Sequence, residues 1–205
     1  MSTQPFIYLA SQSPRRSELL KQIGINFRLL LLRDDPRHIA DVDETPQANE
    51  VASDYVQRIC RAKAAAAWES LQFRNLPQAP ILVADTTVVL DNIIIGKPRD
   101  RHDATTILRL LSGRQHQVLT AAAVILGERF ELRLSSTEIL FAELSDESIQ
   151  RYILSEEADD KAGAYGIQGR AAAFVKRLEG SYSGVVGLPL YETAQILILF
   201  GYTAP

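Results

Sequence analysis

Residues able to grip a polyphosphate stand where the apolar runs of this chain end. The first group is Ser11-Gln12-Ser13-Pro14-Arg15-Arg16, which follows the apolar run Phe6–Ala10 and precedes Leu19 and Leu20. Ser13 suits a helix N-cap and Pro14 the first helical position. A helix is therefore predicted to start here, with its free amides and positive dipole end turned to the loop. Arg15 and Arg16 add charge where the dipole disfavours it, and a bound anion removes that conflict. The hydroxyls of Ser11 and Ser13, free N–H groups and two guanidinium forks suit a polyphosphate better than a lone carboxylate. The structural alternative pairs the arginines with surface acids such as Glu18 and leaves the serine as a cap.

Further along, Asp43-Glu44-Thr45-Pro46 offers adjacent carboxylates that can cap the next helix or reach a divalent cation; the spacing favours the cap. Lys63 falls on or beside the apolar stripe of a helical pattern among small neighbours, which makes it a candidate phosphate ligand; the alternative is a stem lying on the core with its ammonium in water. Asp85 follows four apolar residues and needs a cation, a metal or a helix end as partner. A turn-closing aspartate is the plainer reading. Lys97, between Gly96 and Pro98, can project over the same pocket. Gly96-Lys97 lacks the flanking pattern of a Walker A loop, so a P-loop reading fails. In Asp159–Gly169, three glycines, Tyr165 and Gln168 describe a backbone lying close to something, and Gln168 can pair with the polar edge of a base. A tight structural loop is the alternative there.

The elements that must position these groups follow from periodicity. Strands are expected over Phe6–Ala10, Ile25–Leu32, Ile81–Ala84 (ending on Asp85-Thr86-Thr87), Val88–Leu90 and Ile93–Ile95 around an Asp91-Asn92 hairpin turn, Gln117–Leu126, Phe130–Phe141 and Ala171–Leu178. Helices are expected over Glu50–Leu71, with Ala52, Tyr55, Val56, Ile59, Ala62 and Ala66 inward, and over Asp100–Leu111, Glu147–Ser155 and Tyr191–Phe200. Gly187-Leu188-Pro189 introduces the last of these.

At 205 residues and 46% hydrophobic content the chain can bury a real core, and one folding unit is expected. A formal charge of -3, with no long run of like charge, disfavours nucleic-acid and polybasic membrane roles. Cys60 alone excludes an internal disulfide and reads as filler in a reducing compartment. No run approaches a membrane span, so a cytoplasmic protein is expected. His38, His102 and His116 are isolated and read as surface or turn residues, not metal ligands.

The ordered set Ser11–Arg16 with Glu18-Leu19-Leu20, Val42-Asp43-Glu44, Arg61-Ala62-Lys63-Ala64, Ala84-Asp85-Thr86, Gly96-Lys97-Pro98, Leu111-Ser112-Gly113, Asp160–Gly169 and Gly187-Leu188-Pro189 resembles the Maf family of nucleoside triphosphate pyrophosphatases. The resemblance covers nearly the whole chain. It implies an α/β fold similar to the inosine triphosphate pyrophosphatases: one domain over 1–205, two lobes, a mixed twisted sheet flanked by helices, and a central substrate cleft, often in a homodimer. It also implies hydrolysis of a nucleoside triphosphate to the monophosphate and pyrophosphate with Mg²⁺ or Mn²⁺. By the same resemblance Asp85 is the proton acceptor and with Glu44 a metal ligand. Ser11, Ser13, Arg16, Lys63 and Lys97 hold phosphate, and Arg15, Thr86 and Gln168 match the specificity set of the dTTP/UTP subgroup. Val83 stands where a glycine is common and Gly184-Val185 replaces a frequent Asn-Val; neither removes a charge. The alternatives are a non-catalytic nucleotide-binding regulator of cell division and a 7-methyl-GTP pyrophosphatase.

Overall fold

The long apolar runs become one sheet. A computed structural model describes residues 6–32 and 42–203; His38, expected at the surface or in a turn, lies outside them. Among the described residues seven strands, β1 (Ile7–Leu9), β2 (Phe27–Leu29), β3 (Ile81–Leu90), β4 (Ile93–Ile95), β5 (Gln115–Leu126), β6 (Arg129–Phe141) and β7 (Val175–Glu179), form a mixed sheet in the order β2-β1-β3-β5-β6-β7, with β4 joined to β3. β1 runs parallel to β2 and β3, and every other pairing is antiparallel. Asp91 and Asn92, with φ of 50° and 65°, make the left-handed turn between β3 and β4 that the sequence signalled.

Among the described residues six α-helices flank the sheet: α1 (Pro14–Gln22), α2 (Ala52–Phe73), α3 (Arg101–Leu111), α4 (Asp146–Ile153), α5 (Tyr182–Val186) and α6 (Leu190–Leu199). Strand alternation sorts the core into two layers. Ile81, Val83 and Val89 of β3, with Leu119 and Ala121 of β5, pack under α2 through Val56, Ile59, Ala64 and Ala67. Leu82, Ala84 and Val88, with Val118 and Ala122, pack on the opposite face against Leu19, Leu20, Leu108, Ile196 and Leu197 from the other helices.

Several expectations are corrected. The buried face of α2 passes through Ala64 and Ala67, while Ala62 and Ala66 are only half-buried. β2 is three residues long instead of eight. The segment after Gly169 first makes a 3₁₀ turn, Arg170–Phe174, so β7 starts only at Val175. α5 was not foreseen; Ser181 caps it by accepting from the Gly184 N–H. The largest correction concerns Asp85. It does not end a strand: β3 runs on through Thr86 and Thr87, β-branched residues that fit an extended backbone, and β5 pairs with it from Ile81 to Val89.

Candidate active site

A notch in the sheet takes the place of the expected strand end. On the edge of β3 away from β5, β1 pairs only at Ile81 and Leu82, and β4 only at Val88, Val89 and Leu90. Between them, Val83–Thr87 has no strand beside it on this edge among the described residues. The notch opens into a cleft of about 910 Å³ lined by every residue singled out from the sequence, namely Ser11, Ser13, Arg15, Arg16, Glu44, Lys63, Asp85, Thr86, Lys97 and Gln168. Because successive side chains of a strand leave on opposite faces, Asp85 points to the α2 layer and Thr86 to the other.

On the α2 side, Lys63 Nζ lies 2.6 Å from Asp85 Oδ1 and 2.7 Å from Glu44 Oε1, so one ammonium bridges two carboxylates. Asp85 is only 8% exposed, and desolvation at that depth requires such a partner. The segment bearing Glu44 has no regular structure and is tied to α2 one turn apart: Tyr55 Oη donates to the Glu44 carbonyl at 2.9 Å, and Arg58 Nη2 to that of Thr45 at 3.1 Å. Burial, then the charges of Asp85 and Glu44, push the Tyr55 phenol up to about 12, so it remains a donor. The favoured capping role of Asp43-Glu44 is overturned, since α2 begins six residues after Pro46 with Val51 at its N-cap. Asp43 instead accepts from the Thr45 N–H at 2.9 Å, a local turn whose hydrogen bonds hold its carboxyl below the usual range. Cys60 is buried, its thiol raised to about 12 chiefly by desolvation, and it acts as filler.

On the opposite side Arg16 is the hub. Nε donates to the Gly187 carbonyl at 2.7 Å, Nη1 to Ser11 Oγ at 3.3 Å and Nη2 to Thr86 Oγ1 at 3.3 Å. Burial lowers its pKa, with Asp85 opposing, yet a guanidinium stays charged. Its bonds therefore go to neutral oxygens across the cleft and not to a surface acid. Ser13 does occupy the N-cap position with extended backbone, but its hydroxyl makes no capping bond; its N–H donates to Ser11 Oγ at 3.2 Å. Gly187, at φ 126°, brings its carbonyl to Arg16 in a conformation side chains disfavour. Thr120 on β5, directly opposite Thr86 in register, places its Oγ1 3.0 Å from Thr86 Oγ1 and 2.8 Å from the Gly184 carbonyl.

The third wall is the glycine-rich loop. Gly163, at φ 73°, donates to the Gly96 carbonyl at 3.1 Å, and a Cβ on it would lie 2.8 Å from Val88, so the loop rests directly on β3. Tyr152 Oη accepts from the Gly166 N–H at 3.1 Å, and Tyr165 Oη lies 2.9 Å from His116 Nε2. These contacts leave Gln168 and Lys97 exposed at the cleft. His116 is thereby corrected: it is 2% exposed, and burial lowers its pKa to about 4. His102 is exposed, as expected. The sequence reading missed Tyr55 as an anchor and Thr120 as a cleft support. The one available signal for Thr120 was a hydroxyl inside an apolar run.

Among the described residues no group of three or more His, Cys, Asp or Glu side chains could hold a metal. Glu44 and Asp85 already share one cation, however, and two carboxylates with open space beside them suit a hard divalent ion that completes its shell with water and phosphate oxygens.

The sequence model of the Maf-like protein family matches residues 6–200. A dTTP/UTP pyrophosphatase of Aromatoleum aromaticum is 54% identical over 200 residues, 97% of each chain. One of Nitrosomonas europaea is 54% identical over 191 residues, covering 93% of this chain and 92% of its own. Among solved structures, the Staphylococcus aureus Ham1 protein aligns over 67% of this chain and 72% of its own, at 15% identity and a TM-score of 0.46. With the match running from β1 to the last helix and half of all residues shared with these relatives, the chain belongs to the Maf-like family.

Proposed function

We propose that this protein is a nucleoside triphosphate pyrophosphatase that hydrolyses dTTP and UTP to the monophosphate and pyrophosphate. The observation that carries the reading is the meeting, in one notch, of the Glu44–Lys63–Asp85 cluster with Arg16 and Ser11. Relatives at about 54% identity that carry the dTTP/UTP pyrophosphatase name support the substrate class.

In this reading Asp85 accepts a proton from the attacking water as the α–β anhydride opens. Ser11, Ser13, Arg16, Lys63 and Lys97 hold the phosphates and neutralise charge gathering on the departing pyrophosphate. Arg15, Thr86 and Gln168 face the base. Glu44 and Asp85 would hold Mg²⁺ or Mn²⁺, which when bound supplies charge neutralisation on the phosphates. We infer further that the chain works as one domain of two lobes joined through β3, as a cytoplasmic homodimer without a nucleic-acid or membrane partner. The near-balanced charge supports the absence of a nucleic-acid or polybasic membrane contact, and no described helix is long and apolar enough to cross a membrane.

Product analysis tests the function. Purified protein is incubated with Mn²⁺ or Mg²⁺ and, separately, dTTP, UTP, CTP and 7-methyl-GTP. Monophosphate plus pyrophosphate from dTTP and UTP, with little from the others, is the expected result. Preference for 7-methyl-GTP would retain the chemistry and overturn the base assignment. Binding without turnover would favour the nucleotide-binding regulator.

A further inference from the structure

The hydroxyls of Thr86 and Thr120 form a chain whose direction can be deduced. Thr120 is fully buried and its Oγ1 is 2.8 Å from the Gly184 carbonyl, which can only accept. The single Thr120 proton is therefore committed to Gly184. The contact between the two threonine oxygens, 3.0 Å apart, then needs the proton of Thr86. Arg16 Nη2 can only donate, and it donates to Thr86 Oγ1. The order Arg16→Thr86→Thr120→Gly184 is the one assignment in which every member is satisfied.

We propose that Thr120 is a positioning residue that draws the hydroxyl proton of Thr86 into the sheet and leaves Thr86 facing the cleft as an acceptor. This deepens, and rests on, the pyrophosphatase reading. A uracil or thymine ring carries N–H at the ring position where cytosine carries a lone pair. An acceptor at Thr86 attracts the first and repels the second. Base selection is thus set from a second strand, by a residue outside the cleft lining that never touches the nucleotide. Because Thr120 is directly opposite Thr86 in the β3–β5 register, the two hydroxyls are held by the sheet itself and not by a mobile loop. The chain also links the base side of the cleft to Arg16, so the donor that locks Thr86 is the same guanidinium that faces the phosphates.

The test compares kcat/KM for UTP and CTP in the full-length enzyme, its Thr120→Val variant and its Thr120→Ser variant. In Thr120→Val the Thr86 proton is released, and the UTP-to-CTP ratio should fall about tenfold, the weight of one hydrogen bond of the wrong polarity. The change should appear in KM and leave kcat for UTP within about twofold. Thr120→Ser keeps the hydroxyl and should restore the ratio. An unchanged ratio in folded Thr120→Val, or a serine variant that behaves like the valine one, overturns the proposal. A second measurement needs no variant: 3-methyl-UTP, which lacks the ring N–H, should be turned over at least tenfold less efficiently than UTP by the unaltered enzyme, and equal efficiency overturns the proposal. If no pyrimidine triphosphate is hydrolysed at all, the function reading fails and this inference with it. Hydrolysis with unaltered selectivity removes the inference alone.

Discussion

Asp85 and Thr86 are consecutive on β3, yet they enter opposite layers and are held by different kinds of interaction. Beneath α2, Asp85 and Glu44 are held by one ammonium, an arrangement whose Coulomb attraction must offset the desolvation of buried charge. On the other face Thr86 and Thr120 are neutral, and the one charged member, Arg16, donates to uncharged oxygens. Hydroxyl pairs of this kind cost little to bury and contribute about 1 kcal/mol each. The difference teaches that the charged face should respond to a single substitution abruptly and the neutral face by degrees.

The sharpest break is Asp85→Asn, which preserves shape and removes the charge. Turnover of dTTP should fall by about 10²–10⁴, the range for loss of a general base, with the near-ultraviolet circular dichroism unchanged. An unaffected rate would take Asp85 out of the mechanism.

Acid probes the neutral face next, through His116, which lies four residues before Thr120 on β5 and on the same side of the sheet. Buried and neutral, it takes a proton in the native state only near pH 4, whereas the unfolded chain takes one near 6.5. The unfolded state therefore binds more protons in that window. Stability is complete above about pH 6.5 and declines as pH falls towards 4, by a total on the order of 3 kcal/mol. Urea melts across this range should show the slope, and His116→Gln should flatten it.

Lys63→Met then asks how much of the charged face is structural. Loss of the bridging ammonium should lower stability by roughly 2 kcal/mol, less than the 3–5 typical of fully buried pairs, because Glu44 is half exposed. A melt matching the unaltered protein would mean that water compensates both carboxylates. The smallest effect is expected from a surface pair. Arg109 and Asp146, 2.8 Å apart and both more than half exposed, should give Arg109→Ala a Tm within about 1 °C of the parent.

Much of this site was readable because its charges are local in sequence. Ser11–Arg16 needed only a strand, a cap position and Pro14 to be placed, and Lys63 stood out against an alanine-rich helix. Asp85 was recognised as needing a cation, but its setting was misread. A polar residue after four apolar ones looks like a strand end, whereas the opening arises from what β1 and β4 leave uncovered, a property of the assembled sheet. Asp43-Glu44 was assigned to a cap for a similar reason: adjacency to a helix was visible, while the reach of Glu44 to Lys63 was not. His116 and Thr120 show the limit on the other face. Each is a polar residue near or within an apolar run, and only the register of β5 against β3 and the glycine-rich loop tells which finds a buried partner.

The pairing that frames the notch also bears on how the molecule assembles. β5 and β6 meet through a two-residue turn at Gly127-Glu128, and β3 joins β4 as directly, so these antiparallel pairs close short loops. β1 reaches β3 across more than seventy residues, Arg16 reaches Gly187 across 171, and Tyr202 reaches Phe6 across 196. Contacts of such separation carry the larger loop-closure entropy and are expected to form late. The cleft would then be the last part of the molecule to be completed. In stopped-flow refolding, backbone circular dichroism should recover ahead of the burial of Tyr202, and simultaneous recovery would argue for a single concerted step. A nascent chain would hold most of its sheet before it could hold a nucleotide, and ligand binding would act on the final docking step alone.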